Sequence, residues 1–282
     1  MSKNKGFKMG KLTVLLLIVF VGVFAFSAYK LFSMERVYQE GEATYEAIAQ
    51  AALTTPQTVE QQPEAKPAAP VPSVEPVQPE QLPEEEPEPV YVPLLDVDFA
   101  TLLEMNEDTV AWLHMAGALD YPVVQGEDNE FYIRHMFDGT YNWNGSIFMD
   151  TRSESDFSGR NTYIYGHNMG NGTMFAVLLK YSTPGFYEEH RELIVVTPEA
   201  SYYLQPFSGY TTSTTSGTYR WDFESDEAFA SYLQDLYSWS EFTSDVEVTA
   251  QDRIVTLSTC SYAFNNARYV LHCKLVPAGQ AG

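Results

Sequence analysis

The C-terminal two thirds of the chain predict a mostly β domain that closes, or nearly closes, into a barrel. Short runs rich in Tyr, Phe, Val and Thr recur from Leu94 onward, and only a few helical patterns interrupt them. Eight or so such strands in roughly 190 residues are typical of a small closed barrel. An apolar stretch and a proline-rich segment precede this domain in the chain. The predicted fold is therefore a β-barrel with inserted helices, preceded by a transmembrane helix and a disordered spacer.

The first thirty residues predict a membrane anchor over residues 12–30. Lysines at positions 3, 5, 8 and 11 precede Leu12 to Tyr29, a stretch without any charge that is just long enough to span a bilayer core. The basic tail, residues 1–11, predicts a cytoplasmic N-terminus and an extracellular remainder. A cleaved signal peptide is the alternative, because Ala25-Phe26-Ser27 would suit a signal peptidase.

Two further segments separate this anchor from the β domain. Residues 31–53 are rich in Ala and Glu with few helix breakers, and they predict a juxtamembrane helix. Residues 54–93 hold eleven of the sixteen prolines, so they predict an extended spacer that cannot bury a core. In polyproline II form this spacer would reach about 100 Å. A proline-rich ligand for another domain is the alternative.

The predicted elements of residues 94–282 follow from periodicity and capping residues. Helical spacing occurs at Asp98–Asn106, Asn129–Phe137, Thr173–Tyr181 and Glu224–Ser238. Strand patterns occur at Val110–Met115, Tyr121–Gln125, Ser146–Met149, Thr162–Tyr165, Leu193–Thr197, Tyr202–Thr212, Val246–Thr249, Arg253–Thr259 and Tyr269–Val276.

Charge and cysteine content narrow the classes of function. The formal net charge of −22 excludes nucleic-acid binding by the bulk of the chain. The two cysteines, Cys260 and Cys273, could form a disulfide outside the cell. Strand alternation argues against this pairing, because Cys273 lies on the opposite face from Arg268. We therefore interpret Cys273 as a core residue, provided that Arg268 shares a face with Cys260.

Three side chains at strand edges suggest acyl-transfer chemistry. Cys260 ends the apolar run that begins at Arg253, Arg268 begins the next run, and His167 follows the run that ends at Tyr165. A thiolate can attack a carbonyl, an imidazole can move protons, and a guanidinium can hold the developing oxyanion. No phosphate loop, Gly-x-Ser-x-Gly or metal-ligand spacing occurs, so no cofactor or metal is expected.

The same residues carry a resemblance to a known family. Thr256-Leu257-Ser258-Thr259-Cys260 with Arg268 resembles the signature of the sortases, and Tyr165-Gly166-His167-Asn168-Met169 resembles the histidine segment of class B sortases. Further matches in the same order are Asp120–Gln125, Asp128-Asn129 and Gly145–Asp150. The resemblance spans about residues 94–276, and the helix before the Cys260 strand is also a class B feature.

The resemblance implies an eight-stranded mixed barrel and a cysteine transpeptidase. It implies that Cys260 attacks a sorting signal at its Thr, that His167 is the acid and base, and that Arg268 stabilises the oxyanion. Asn129, Ile133, Tyr165 and Ser258 match positions that line the class B substrate groove. The implied partners are surface proteins with a sorting signal and an amine of the cell-wall peptide. Three alternatives remain: a pilin polymerase with a lysine acceptor, a secreted cysteine peptidase, and an inactive wall-binding module.

Overall fold

Eight strands close into one barrel in the computed structural model, which describes residues 10–53 and 94–278. Around the barrel the order is β1-β2-β3-β4-β7-β8-β6-β5, and β5 pairs with β1. The β2/β3 and β4/β7 pairs are parallel and the others are antiparallel, which confirms the mixed barrel. The strands are β1 Thr109–Met115, β2 Leu119–Val124, β3 Ile147–Met149, β4 Asn161–Tyr165, β5 Leu193–Val196, β6 Ser201–Ser213, β7 Arg253–Cys260 and β8 Ala267–Pro277.

Four α-helices accompany these strands in the part of the chain that the structure describes. They are α1 Lys11–Ala52, α2 Phe99–Met105, α3 Phe186–Glu189 and α4 Asp226–Trp239. The predicted helices at Asp98–Asn106 and Glu224–Ser238 are confirmed, and Asp98 and Ser225 cap them through their side chains. The predicted Thr173–Tyr181 helix is a 3₁₀ helix over Phe175–Ser182.

The predicted helix at Asn129–Phe137 is wrong beyond one 3₁₀ turn at Phe131–Ile133. The Asp128 carboxylate accepts hydrogen bonds from the backbone N–H groups of Glu130 and Phe131, which supports that single turn. The chain then folds back on itself, and His135 pairs with Tyr141 in an antiparallel bridge. In this hairpin, backbone N–H and C=O groups that would have formed the hydrogen bonds of a longer helix are paired across the turn instead.

The predicted strand at Val246–Thr249 is also wrong. Its backbone is satisfied by a side chain, because the Tyr237 hydroxyl donates to the Val246 carbonyl at 2.8 Å and accepts from the Val248 N–H at 3.0 Å. Val246 and Val248 pack with α4 in an apolar cluster on the outside of the barrel. The alternating apolar pattern therefore reflects one half-buried side of a connection that has no strand partner.

Helix α1 joins the predicted anchor and the predicted juxtamembrane helix in one continuous element. It is the single helix among the described residues whose length and composition would allow it to cross a membrane. Its first half is exposed, whereas Tyr45, Ile48 and Ala52 are buried in the main core cluster with the barrel. The C-terminal part of α1 is therefore packed as part of the folded domain.

Close contacts fasten α1 to the connection between β2 and β3. The Tyr45 hydroxyl donates to the Gly145 carbonyl at 2.6 Å, and burial raises its pKa far above the ordinary tyrosine range. Gly41 meets Asn144 so closely that a Cβ there would lie 1.7 Å from the Asn144 amide nitrogen. Any larger residue at position 41 would therefore have to displace the buried Asn144 side chain where the helix crosses this connection.

The end of α1 and the start of the β domain are adjacent in space. Leu53 forms an antiparallel bridge with Val97, and the Asp98 N–H donates to the Ala52 carbonyl at 2.8 Å. Residues 54–93, the predicted spacer, and most of the basic tail lie outside the described residues. Because the two ends of the spacer are adjacent, its length does not set the distance between α1 and the barrel, in contrast to the reach expected from the sequence.

Candidate active site

A cleft of about 470 Å³ on the barrel contains every residue that the sequence singled out for a site. It lies against β4, β7 and β8 and is closed on one side by the connection between β6 and α4. The predicted site residues in its lining are Asn129, Ile133, Tyr165, His167, Ser258, Cys260 and Arg268. The sequence prediction that these side chains share one site is consistent with this arrangement.

Cys260 and Arg268 are direct cross-strand neighbours. They are the last registered pair of the antiparallel β7/β8 ladder, and the half-buried Cys260 is the last residue of β7. Opposed residues on antiparallel strands have Cβ atoms about 4.5–5.5 Å apart, so the Arg268 side chain is long enough to bring its guanidinium to a group bound at the sulfur. The Arg268 Nη1 donates to the carbonyl of its neighbour Ala267 at 3.0 Å, which restrains the side chain.

The His167 segment is tied to the Cys260 strand by three hydrogen bonds. The Gly166 N–H donates to the Ser258 carbonyl at 3.2 Å, and the Thr259 hydroxyl donates to the Gly166 carbonyl at 2.7 Å. The Asn168 side-chain amide donates to the Cys260 carbonyl at 3.0 Å. The backbone before and after the histidine is thus held against the end of β7.

His167 itself is half-buried, and its Nε2 donates to the carbonyl of the exposed Ile133 at 2.6 Å. This contact joins the histidine to the wall of the cleft that carries two of the predicted groove residues, Asn129 and Ile133. A half-buried imidazole in the lining of the cleft can exchange protons with a bound substrate.

Gly166 occupies a position that no larger residue could take without displacement. A Cβ at this glycine would lie 2.5 Å from Ile147 Cδ1 and 2.8 Å from Phe175 Cγ, and both of those side chains are fully buried. The backbone therefore passes directly over the core just before His167. The sequence indicated Gly166 only as part of a motif, and the structure supplies its steric reason.

A buried carboxylate also lines the cleft. Asp150 is fully buried and forms an ion pair with Arg152 at 2.7 Å, while the Tyr165 hydroxyl donates to it at 2.8 Å. Burial opposes ionisation of Asp150, but the hydrogen bonds from Arg152 and Tyr165 outweigh it and lower the pKa of the carboxyl. Burial and the neighbouring carboxylate raise the pKa of Tyr165, so its hydroxyl stays protonated.

Arg152 also connects this carboxylate with the far wall of the cleft. Its guanidinium lies 3.5 Å from the ring centroid of Trp221, in the connection between β6 and α4. Such cation–π contacts hold a cation and a ring in a fixed relation. Sequence reasoning did not identify Trp221 as a site residue, because nothing in the sequence around it shows which strand it faces.

The β6–α4 connection is anchored beneath the cleft by buried hydroxyl groups. The Tyr163 hydroxyl donates to the Thr218 carbonyl at 2.8 Å, and Tyr232 donates to the same carbonyl. The next residue, Tyr219, is hydrogen-bonded to Ser258 at 3.0 Å. Sequence reasoning missed Tyr219 as well as Thr214, another lining residue in this connection.

The second cysteine is remote from this chemistry. Cys273 is fully buried in the main core cluster, and burial raises the pKa of its thiol far above the ordinary range. Both cysteines are free, so the disulfide alternative does not apply to the structure. The strand-alternation argument is confirmed, because Cys273 packs with Tyr269 and Leu271, two residues of the β8 face opposite to Arg268.

Comparison with known proteins identifies the class that this barrel and cleft define. Residues 115–276 match the family model described as Sortase domain, which is more than half of the chain. The chain belongs to the sortase family, the cysteine transpeptidases.

The individual relatives agree on the subclass. The chain is 40% identical to sortase B of Staphylococcus aureus over 181 residues, covering 63% of this chain and 74% of that protein. It is 37% identical to sortase B of Listeria monocytogenes over 178 residues, covering 62% and 72%. These relatives confirm the resemblance to class B.

Solved structures show the same architecture. The S. aureus sortase B–substrate complex matches with a TM-score of 0.61 and 39% identity, covering 64% of this chain and 85% of that one. Clostridium perfringens sortase B matches with a TM-score of 0.61 and 32% identity, covering 64% and 100%. The eight-stranded barrel predicted from the sequence is thereby confirmed.

Proposed function

We propose that this transpeptidase cleaves a C-terminal sorting signal after its Thr, holds the protein as a thioester on Cys260, and transfers it to an amine of the cell-wall peptide. One observation carries the assignment of roles. Cys260 and Arg268 are cross-strand neighbours, and the His167 segment is hydrogen-bonded to the same end of β7.

The reaction proceeds in two acyl transfers. The Cys260 thiolate attacks the Thr carbonyl carbon, and Arg268 stabilises the oxyanion of the tetrahedral intermediate. The C–N bond then breaks, His167 gives a proton to the departing amine, and the thioester remains. The acceptor amine attacks the thioester, His167 takes its proton, and the sulfur leaves as the new amide forms.

The sorting signal would lie in the cleft between the two walls. Asn129 and Ile133 are on one wall, and Tyr165 and Ser258 lie on the strands beneath it. The apolar and hydroxyl groups there suit an extended peptide. The existence of a substrate complex of S. aureus sortase B, at 39% identity to this chain, supports substrate binding by this fold.

The proposal places the enzyme on the outer face of the cell membrane. The apolar half of α1 would span the bilayer as the anchor, with the basic tail in the cytoplasm and the barrel outside. Membrane attachment raises the effective concentration of the enzyme toward substrates held in the same membrane. Surface proteins with a sorting signal and a lipid-linked wall precursor would both be presented there.

The role of Cys260 can be tested by intact-mass measurement with a sorting-signal peptide. We expect an acyl adduct on the wild-type chain and on Cys273→Ala, but none on Cys260→Ala. Cys273 is the matched control because it is the other cysteine of the chain and is buried. An adduct on Cys260→Ala would contradict the assignment.

The same peptide separates transfer from hydrolysis. A transpeptidase gives an amide product when an amine such as triglycine is added, and the amine increases the rate of peptide turnover whenever resolution of the thioester limits it. A peptidase releases the same free acid with or without the amine. Equal products under both conditions would favour the secreted peptidase instead.

A further inference from the structure

An exposed aromatic patch lies on the hairpin between the cleft wall and β3. It consists of Phe131, His135, Tyr141 and Trp143, with Arg134 beside them. Tyr141, Trp143 and Phe131 are 60%, 54% and 45% exposed. Phe131 stacks on His135 at 4.0 Å, and Arg134 lies 4.6 Å from the Trp143 ring centroid. A contiguous patch of exposed aromatic side chains, unlike single exposed residues, often marks a contact surface for a protein or a membrane.

Contacts with α1 show which way this hairpin points. The hydroxyl of Tyr45 binds the Gly145 carbonyl, Gly41 abuts Asn144, and the Asn142 side chain donates to the Val37 carbonyl at 3.4 Å. From residue 145 back to residue 142, the contacts move toward the N-terminus of α1. The hairpin containing Tyr141 and Trp143 therefore extends along α1 toward its apolar half.

The distance of the patch from the apolar half of α1, measured along the helix axis, follows from helix geometry. The uncharged run of α1 ends at Tyr29, and after Lys30 the exposed residues Leu31, Phe32 and Met34 continue the apolar surface up to Glu35 and Arg36. The long Lys30 side chain can extend its ammonium to the headgroups while its stem stays in lipid. At 1.5 Å per residue, Val37 and Gly41 lie about 5 and 10 Å beyond Met34 along the helix axis. The polar layer on each side of a bilayer is about 5–8 Å thick, so Trp143 is within side-chain reach of it.

We infer that the aromatic patch is an interfacial membrane contact that rests in the headgroup layer of the bilayer holding α1. Trp and Tyr prefer this layer because their rings are amphipathic, and Arg134 can pair with lipid phosphates. The acidic Asp138 in the same turn is folded back, since its carboxylate accepts from the Thr140 N–H and hydroxyl. The inference rests on the membrane anchor of the proposed function.

The aromatic patch would be a second membrane contact besides α1, and it would orient the barrel relative to the membrane plane. A single helix leaves the domain free to tilt about its point of entry, whereas α1 and the patch together define a plane. Ile133, at the rim of the cleft, is two residues from Phe131 and accepts the hydrogen bond from His167. The mouth of the cleft would then be held close to the lipid surface.

The test uses the full chain in phosphatidylcholine vesicles whose acyl chains carry bromine next to the headgroup. Bromine quenches tryptophan fluorescence only on contact. We expect quenching of the wild-type chain and at least a twofold smaller quenched fraction for Trp143→Phe. Trp239→Phe is the matched control, because Trp239 is 42% exposed on α4, which packs against β6, and its replacement should leave quenching unchanged.

Three results would overturn the inference in distinguishable ways. If the chain floats with the vesicles but Trp143→Phe quenches like the wild type, the anchor stands and the patch does not touch lipid. If the chain does not float with the vesicles, the anchor itself fails and the inference fails with it. If a soluble sorting-signal peptide, but no brominated lipid, protects or quenches Trp143, the patch extends the peptide groove instead.

Discussion

The position of Arg268 opposite Cys260 makes the geometry of its side chain as important as its charge. A guanidinium offers fixed, planar N–H donors, whereas a lysine ammonium is a flexible point charge. We expect Arg268→Lys to lower kcat about a hundredfold, which corresponds to roughly 3 kcal/mol for one lost oxyanion donor. KM for a sorting peptide should change less, because the oxyanion exists only after attack. Steady-state kinetics on one peptide measures both.

Near-normal turnover of the Lys variant would contradict the oxyanion role. A raised KM with unchanged kcat would instead move Arg268 into the binding groove.

The close approach of Gly166 to the core predicts a loss of activity without any change in a reacting group. In Gly166→Ala the added methyl meets Ile147 and Phe175, so the segment before His167 must shift. Overpacking of this kind costs about 1–3 kcal/mol of stability, and we expect kcat to fall at least tenfold. Thermal unfolding and peptide turnover measure the two effects.

Gly170→Ala is the matched control in the same loop. Its added Cβ would meet only the Tyr38 hydroxyl at 3.6 Å, an ordinary contact distance. Equal losses in the two variants would mean that the loop, and not the contact at Gly166, is sensitive.

Residue patterns could indicate only part of this site. Strand alternation predicted that Cys273 and Arg268 lie on opposite faces, because alternation along one strand is a local property. That Arg268 lies opposite Cys260 was a condition of this argument, and the β7/β8 pairing supplies it. The contact of Arg152 with Trp221 joins residues far apart in sequence. Nothing local to either residue specifies it, and so the sequence did not reveal this wall of the cleft.

At the scale of elements, the second half of α1 should be required for stability. Ile48 is 2% exposed within the core cluster, and truncation of a buried isoleucine to alanine typically costs about 2–5 kcal/mol. We therefore expect Ile48→Ala to lower the free energy of unfolding by that amount in urea titrations of the detergent-solubilised chain. Glu46→Ala, exposed on the same helix, should change it by less than about 0.5 kcal/mol.

Equal stability of the two variants would show that α1 does not pack on the barrel in solution.

The sequence predicted the existence of most elements but not what their surfaces contact. Residues 31–53 are rich in Ala and Glu with few helix breakers, which predicted a juxtamembrane helix but not its contacts. The structure buries Tyr45, Ile48 and Ala52 against the barrel, a long-range contact that periodicity does not reveal. The Val246–Thr249 pattern predicted a strand that the structure does not have, since the hydrogen-bond partner of this backbone is a tyrosine side chain and not another strand.

For the whole molecule, one buried histidine predicts how stability depends on pH. His272 is fully buried between Thr256 and Tyr210, and burial lowers its pKa to about 3. In the unfolded chain a histidine has a pKa of about 6.5, so the unfolded state binds a proton first as the pH falls. The stabilisation is complete above that value and is lost progressively toward the folded pKa.

Between pH 7 and pH 5 this one group should lower the free energy of unfolding by about 2 kcal/mol. Urea titrations of the wild-type chain and of His272→Gln at the two pH values measure the difference. The variant lacks the titrating group, so its dependence on pH should be smaller by that amount. An identical dependence in both chains would mean that His272 is accessible to protons in the folded state.

The bridge between Leu53 and Val97 also determines where the chain tolerates insertions and deletions. The described residues on either side of the segment 54–93 are already held together by this bridge, and each doubling of the length of a connecting segment adds only about 0.6 kcal/mol of closure entropy. One residue inserted into α1 would instead rotate everything beyond it by about 100°, because the helix has 3.6 residues per turn. Such a rotation would turn Tyr45 away from the Gly145 carbonyl. Insertions and deletions between residues 54 and 93 should therefore change the stability little, whereas those within α1 should disrupt its packing on the barrel.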